Sequence, residues 1–201
     1  MPRAIPTFIR NRLDSERLIL RVPQPGDGRM IHASIMESFS ELTLWMEWAR
    51  TAPSLSDSES HIYEMARLMS AREEIGYLIV RRDDGVHVGS IGVHHIAWDV
   101  PRFEIGYWGR ISMHGHGYIT EAVNTLSHYL FAGLSAERVE IRCDARNVRS
   151  AAVAERCGFT LEGRMRNERR THAGALSDSL IYARLRQDYH AAAQQSGRTL
   201  G

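Results

Sequence analysis

Between a strand-like run and a strongly helical run the chain reads His114-Gly115-His116-Gly117-Tyr118. Glycines one residue apart that lead into a helix expose consecutive backbone N–H groups lacking intrahelical acceptors. With the positive end of the helix dipole, such donors bind phosphate. Glycine also lets a bulky diphosphate come close to the main chain. The same residues have two other readings. His114 and His116 form an H-x-H pair, with His87, His94 and His95 in a neighbouring strand-like region, so imidazoles could gather a zinc ion. A zinc site needs three or four converging ligands, however, and no Asp, Glu or Cys accompanies the pair at useful spacing. A glycine turn before a helix is also a common way simply to change direction.

Two further side chains could move protons. Glu104 is one of few carboxylates inside a strongly apolar strand, "RFEIGYW". Period-two alternation puts Glu104, Gly106 and Trp108 on one face against Phe103, Ile105 and Tyr107, so Glu104 reads either as a base or as a solvent-facing residue. A reference pKa of about 4.3 makes it a weak base unless burial raises the value or a water relays the proton. Ser150 precedes "AAVAERC" and reads either as a hydroxyl donor or as a helix N-cap. Cys143 has no histidine visibly paired with it and reads as a small buried hydrophobe rather than a nucleophile.

The surrounding elements have to position these groups. "ERLILRVP" alternates around Leu18 and Leu20 as a half-buried strand, and residues 29–38 form a weakly patterned helix. Over 56–71 a second helix is predicted, with Ser56 and Glu59 as a capping box and Ile62, Met65, Ala66 and Met69 along one face. "GYLIVRR" and "VHVGSIGV" flank "DDG", a hairpin signal. "RFEIGYW" is a third strand of that run. Residues 117–132 carry apolar positions 119, 122, 123, 126 and 130, a helical stripe. "RVEIRCDA" is a strand, "RSAAVAERCGF" a short helix stopped by Gly158, and two strands close the chain near 160–168 and 178–185. Hairpins mixed with crossover helices predict an α+β fold: a mixed, mostly antiparallel sheet of about seven strands with about four helices.

A chain of 201 residues suits one domain, with a core over about 14–188 and a frayed tail "AAAQQSGRTLG". The formal net charge of +1 provides no overall field to recruit nucleic acid or an anionic membrane. The two cysteines, Cys143 and Cys157, are not in C-x-x-C spacing and fit a reducing compartment. With no signal-peptide core and no apolar run of spanning length, a cytoplasmic location is expected.

The order strand "RFEIGYWG", loop "HGHGYI", helix "TEAVNTLSHYLF", strand "RVEIRCDARN", then "NVRSAAVAERCGF" resembles the GNAT family of acetyl-CoA-dependent N-acetyltransferases. The likeness is closer to its RimJ/RimL-like group, which includes ribosomal-protein N-terminal acetyltransferases, and covers roughly residues 14 to 188. "EIGYW", "GYxTEA", "NxxSAxxxxxxGF" and "LEG" carry it together.

The resemblance implies acetyl-CoA as co-substrate and no metal. It lays the family's pyrophosphate loop, R/Q-x-x-G-x-G/A, on His114 to Ile119, with His114 in the Arg or Gln position. The N–H groups of residues 115–120 (Gly115, His116, Gly117, Tyr118, Ile119 and Thr120) are then the cradle. It implies Glu104 as general base, Asn147 on the pantetheine arm and Ser150 near the sulfur, with Tyr107 and Tyr182 as fallback donors. A backbone N–H near Trp108 or Gly109 would receive the oxyanion, where the family's strands part around a bulge. Arg142, Arg146 and Arg149 read as contacts to the 3′-phosphate or as a solvated basic edge.

In this family the two early helices and their loop wall the acceptor site. Here "LTLWMEWARTAPS" holds Trp45 and Trp48, with Glu41 and Glu47 nearby. Aromatic walls and acidic groups suit a cationic amine such as a protein N-terminus, a polyamine or an amino-sugar. The alternative is a helix packing its tryptophans into the core. The RimJ/RimL likeness points to a protein or peptide α-amine, and a homodimer is the assembly it suggests. The competing function is an acyl-CoA-binding protein of the same fold without turnover.

Overall fold

The computed structural model describes residue 6 and residues 8–195. Its centre is one sheet of eight strands: β1 (Arg12–Asp14), β2 (Leu18–Arg21), β3 (Ile75–Arg81), β4 (His87–Ala97), β5 (Arg102–Gly109), β6 (Arg138–Asp144), β7 (Thr160–Arg170) and β8 (Leu176–Leu185). They lie in the order β1-β2-β3-β4-β5-β6-β8-β7. Every neighbouring pair is antiparallel except β5 and β6. Five α-helices accompany it: α1 (Gly28–Trp45), α2 (Leu55–Ala71), α3 (Tyr118–His128), α4 (Val148–Arg156) and α5 (Arg186–Gln195). The α+β class and mixed sheet stand as expected, with one strand and one helix more than the periodicity suggested.

Alternation sorts the sheet's side chains into two cores. Ile75, Tyr77, Ile79, Phe103, Ile105, Val139 and Ile141 meet the apolar stripe of α3, Ala122, Val123 and Leu126, together with Leu130 of the turn just past it and Val153 of α4. On the other face Leu78 and Val80 meet Ile31, Ile35 and Leu42 of α1 and Ile62 of α2, with Trp108 packed against them. Helices α3 and α4 thus lie on the opposite side of the sheet from α1 and α2.

Several local expectations shift. The capping box of α2 is Ser54 with Asp57: Ser54 Oγ accepts from the Asp57 N–H at 3.1 Å and Asp57 Oδ2 from the Ser54 N–H at 2.8 Å. Glu59, expected in that role, instead accepts from the Gly26 N–H at 2.8 Å. Ala66, expected on the apolar face, is exposed. The first helix runs seven residues past 38 and so carries Glu41 and Trp45 itself. Part of the segment read as frayed is α5, which docks through Tyr189, stacked on Phe131 at 4.9 Å with its hydroxyl 2.8 Å from His128 Nδ1. The remainder of that segment, 196–201, lies outside the described residues.

Two features of β5 matter for function. It pairs with β6 only over Arg102–Ile105, then continues to Gly109 while β6 stays with β8 as far as Asp144 opposite Ser179. The sheet therefore opens between two strands beyond Ile105. The neighbouring bulges lie on β4, not on β5 near Gly109 as expected: one residue is extra between Gly89 and His87, and another between His94 and Ala97. Gly89 permits the first, because a Cβ there would sit 2.1 Å from the Trp108 carbonyl oxygen.

Candidate active site

The chain leaves β5 through a turn of 3-10 helix at Ile111–Met113 and enters α3 over Gly115 and Gly117, at φ +82° and +76°. These left-handed conformations are cheap only for glycine. They alternate around His116 and form a concavity of main-chain amides, continued by the first turn of α3. Among the described residues the N–H groups of 115–120 have no acceptor; the first bonded amide is Glu121, which donates to the Gly117 carbonyl at 3.0 Å. A Cβ on Gly115 would meet nothing within 4 Å, so the concavity is open. Six unpaired donors around open space fit a diphosphate.

The imidazoles do other work. His114 Nε2 is 3.1 Å from the Gly109 carbonyl oxygen and ties the loop to the end of β5. His116 stacks on Tyr118 with ring centroids 5.5 Å apart. His87 is buried among α1 residues, His94 faces Glu74 and His95 faces Glu104. Among the described residues no three His, Cys, Asp or Glu side chains gather as a metal-holding group.

Helix α1 braces the loop from the other side. Glu37 accepts from Arg110 Nε at 2.6 Å and from the Ser112 N–H at 3.1 Å, and Ser38 Oγ accepts from the Ile111 N–H at 2.9 Å. The Arg110 contact, helped by Ser112, holds the Glu37 carboxyl down at about 2. Sequence reading missed this brace, whose partners are more than seventy residues apart.

Where β5 and β6 part, two hydroxyls meet. Tyr107 Oη lies 3.0 Å from Ser150 Oγ and donates to the Ser150 carbonyl at 3.2 Å, and burial pushes its phenol pKa up. Ser150 is not the N-cap of α4; Asn147 is, its Oδ1 accepting from the Ser150 N–H at 3.1 Å. That spends the Asn147 carbonyl oxygen and leaves its amide NH2 to donate. Tyr182 is committed to Glu155 Oε1 at 2.9 Å, and burial raises its pKa to about 12. Both cysteines are buried thiols; burial pushes Cys143 up and Cys157 to about 11, against any nucleophilic role.

Backbone alternation decides which amides of β5 face the opening. The Arg110 N–H donates to Val88 on β4 at 2.7 Å, and Trp108 pairs with Ser90 on the same strand. Two-residue periodicity therefore turns the Trp108 amide to β4 and the Tyr107 and Gly109 amides toward the gap. Of the two amides named for the oxyanion, that of Gly109 faces the gap and that of Trp108 faces β4.

On the opposite face Glu104 is about one-fifth exposed, with Oε2 3.1 Å from His95 Nδ1 and 3.4 Å from Arg142 Nε. Basic partners rather than an apolar pocket surround it. Above it, Trp48 is half exposed and tilted against Trp108 with centroids 6.3 Å apart, and Arg146 lies 6.0 Å over the Trp45 ring. A groove there is lined by Trp45, Glu47, Asp144, Arg169 and His172. Its acids already have partners, Glu47 with Arg169 at 3.5 Å and Asp144 with Arg146 at 2.7 Å, and so does Glu41 of α1, with Arg149 at 2.5 Å. The three arginines expected at a 3′-phosphate are likewise engaged, Arg142 with Glu104 and Glu140.

A sheet opened between its two parallel strands, beside a glycine cradle at a helix N-terminus, is the architecture of a CoA-dependent acyl transferase. Comparison with known proteins agrees. Residues 17–160 match the family described as Acetyltransferase (GNAT) domain, and the chain belongs to it. It is 30% identical over 179 residues to YdaF of Bacillus subtilis (strain 168), named as a candidate ribosomal N-acetyltransferase, spanning 87% of this chain and 94% of that one. It is 26% identical to the ribosomal-protein-serine acetyltransferase of Escherichia coli (strain K12) over 85% of this chain and 94% of the other. Among solved structures, the ribosomal L7/L12 α-N-protein acetyltransferase RimL in complex with coenzyme A superposes with a TM-score of 0.80 at 26% identity, covering 87% of this chain and 97% of that one. The microcin C7 self-immunity acetyltransferase MccE, in complex with acetyl-CoA and AMP, gives 0.79 at 26% identity, covering 85% and 93%. The protein is an N-acetyltransferase that takes its acetyl group from acetyl-CoA.

Proposed function

We propose that the acceptor is the α-amine of a protein or peptide N-terminus, and that transfer takes place through the opening between β5 and β6. The observation that carries this is the opening itself. It separates the amide cradle and the Tyr107–Ser150 hydroxyls on one face from Glu104 and the tryptophan wall on the other. In this reading the chain end comes to the gap from the α1 side, opposite the nucleotide. The ribosomal names of the relatives support a protein N-terminus as the acceptor, and such an acceptor supports a cytoplasmic setting. Among the described residues, no helix is long and apolar enough to cross a membrane.

In this proposal the amides of 115–120 hold the diphosphate and the Asn147 amide donates to the pantetheine arm. Bound acetyl-CoA supplies an activated acyl carbonyl. The Tyr107 and Gly109 N–H groups donate to that carbonyl oxygen as negative charge develops on it. Glu104 takes the amine's proton, directly or through a water, and His95 receives it at the surface. The Ser150 hydroxyl, in contact with Tyr107, donates to the sulfur as the C–S bond breaks. Glu41, Glu47, Trp45 and Trp48 shape the acceptor entrance rather than provide free negative charge, because both acids are paired.

Thiol release from acetyl-CoA with ribosomal-protein N-terminal peptides, polyamines and amino-sugars tests the reading. Turnover confined to peptides with a free α-amine is the expected result; turnover confined to small amines would overturn it. A second reading rests on the arginines of the groove and the nucleotide seen with MccE: an acceptor with an anionic group next to its amine. In that case an aminoacyl nucleotide would outrun every peptide.

A further inference from the structure

We propose that Arg17, from the turn between β1 and β2, is a second anchor for the diphosphate of acetyl-CoA, replacing the cation the glycine loop itself lacks. The proposal rests on the reading of residues 115–120 as a diphosphate cradle. In the loop the first position holds His114, and its imidazole is spent on the Gly109 carbonyl. No cationic side chain of the loop faces the amides.

Arg17 reaches the cradle from nearly a hundred residues away. Its Nη1 donates to the His116 carbonyl at 3.0 Å, and its guanidinium lies over the Tyr118 ring at 4.9 Å. Its Nη2 is 3.7 Å from where a Cβ on Gly117 would be, at the mouth of α3. The side chain is held in this pose. Its Nε donates to Glu121 Oε2 at 2.7 Å, its backbone N–H donates to Glu121 Oε1 at 2.8 Å, and Ser15 Oγ donates to the same oxygen at 2.8 Å. Stacked on one side and hydrogen-bonded along one edge, the guanidinium keeps Nη2 toward Gly117. It is nearly half exposed, so the site is open to a ligand.

The arrangement has a chemical logic. Unpaired amides bind a diphosphate through partial charges, and a fixed guanidinium adds a full charge and a fork of donors matched to phosphate oxygens. Glu121 orients Arg17 at the cost of part of that charge. The imidazole at 114, turned to the Gly109 carbonyl, does not supply it.

The test compares wild type with Arg17→Lys, which keeps the charge, and Arg17→Gln, which keeps donors without it. Calorimetry measures binding of CoA, dephospho-CoA, which lacks the 3′-phosphate, and pantetheine, which lacks the diphosphate. Arg17→Gln should weaken CoA and dephospho-CoA equally, by about tenfold, and leave pantetheine unchanged. Arg17→Lys should recover part of the loss, and the salt dependence of CoA binding should be shallower in the Gln variant than in wild type. Unchanged CoA affinity in Arg17→Gln, an equal loss for all three ligands, or a loss limited to CoA would each overturn the proposal; the last would assign Arg17 to the 3′-phosphate. Failure of the cradle itself shows separately, as wild type binding pantetheine as tightly as dephospho-CoA. Thermal melts of both variants identify any loss that comes from unfolding.

Discussion

Two glycines with nearly the same backbone separate the structural from the functional demand on the cradle. Gly85, in the β3–β4 turn, has φ +73°, and Gly117, at the start of α3, has φ +76°. Neither is crowded: a Cβ at 85 meets nothing within 4 Å, and one at 117 comes only to 3.7 Å from Arg17 Nη2. Alanine at either position is therefore opposed by the left-handed backbone alone, about 1–2 kcal/mol. For a chain of this length the strain kept in the fixed turn of Gly85→Ala should lower Tm by roughly 2–8 °C, and Gly117→Ala should lose less, because its free loop relieves the strain. The consequences for CoA should differ. Without ligand, the loop of Gly117→Ala can relieve its strain by leaving the left-handed region, which turns the amides away from their common centre. Binding must then restore the strained form, so Kd should rise about five- to thirtyfold. Gly85→Ala should bind CoA as wild type does. Calorimetry with CoA, alongside melting curves, reads both quantities. Equal affinities in the two variants, with equal losses of Tm, would refute the reasoning, since the left-handed glycine would then serve only the turn.

Three further outcomes are expected. Glu104→Gln should lower kcat by about a hundredfold, with CoA affinity unchanged because the carboxylate lies across the sheet from the cradle; normal turnover at neutral pH would remove Glu104 from the proton path. Ser150→Ala and Tyr107→Phe should each reduce kcat by about tenfold with little change in acceptor KM, and the double variant should lose less than the product. An unaltered kcat in Ser150→Ala would leave that hydroxyl pair a packing contact. His87, 1% exposed with Nδ1 2.9 Å from Ser34 Oγ, is held neutral by burial, its pKa lowered from 6.5 to about 4. Below pH 6.5 the unfolded chain binds a proton that the folded chain refuses, so stability falls with pH through that window, by about 2 kcal/mol at pH 5 and about 3 kcal/mol once both states are protonated. Urea denaturation at pH 7 and pH 5 should show that loss in wild type and not in His87→Asn, which keeps a polar group for Ser34; identical pH dependence would contradict it.

What could be read from the chain follows from how local each signal is. The stripe of Ala122, Val123, Leu126 and Leu130 announced α3, and the glycines at 115 and 117 announced the turn before it, because helix periodicity and left-handed φ are properties of neighbouring residues. Alternation likewise placed Glu104 and Trp108 on one face of β5. Strand β1 went unread because three residues are too few to show a period. The cap of α2 fell two residues early because Ser54–Asp57 and Ser56–Glu59 are equally good motifs, and only the reach of Glu59 to Gly26 separates them. Helix α5 was hidden by a polar composition; its one large anchor, Tyr189, finds Phe131 only in the folded chain. The site's finer parts are contacts between distant segments: Arg17 with His116, Glu37 with Arg110, Tyr107 with Ser150. The pairing of Glu41 and Glu47 with arginines of α4 and β7 is of the same kind, and it turned a supposed acidic entrance into a neutralised one.

The central claim is that main-chain amides between β5 and α3 hold the diphosphate of the acetyl donor. A crystal structure of the protein with CoA bound tests it most directly. The account predicts diphosphate oxygens within about 3 Å of the N–H groups of residues 115–120, with the thiol end entering the gap beside Tyr107 and Ser150. Diphosphate density at any other place on the protein, with those six amides facing solvent, would contradict it.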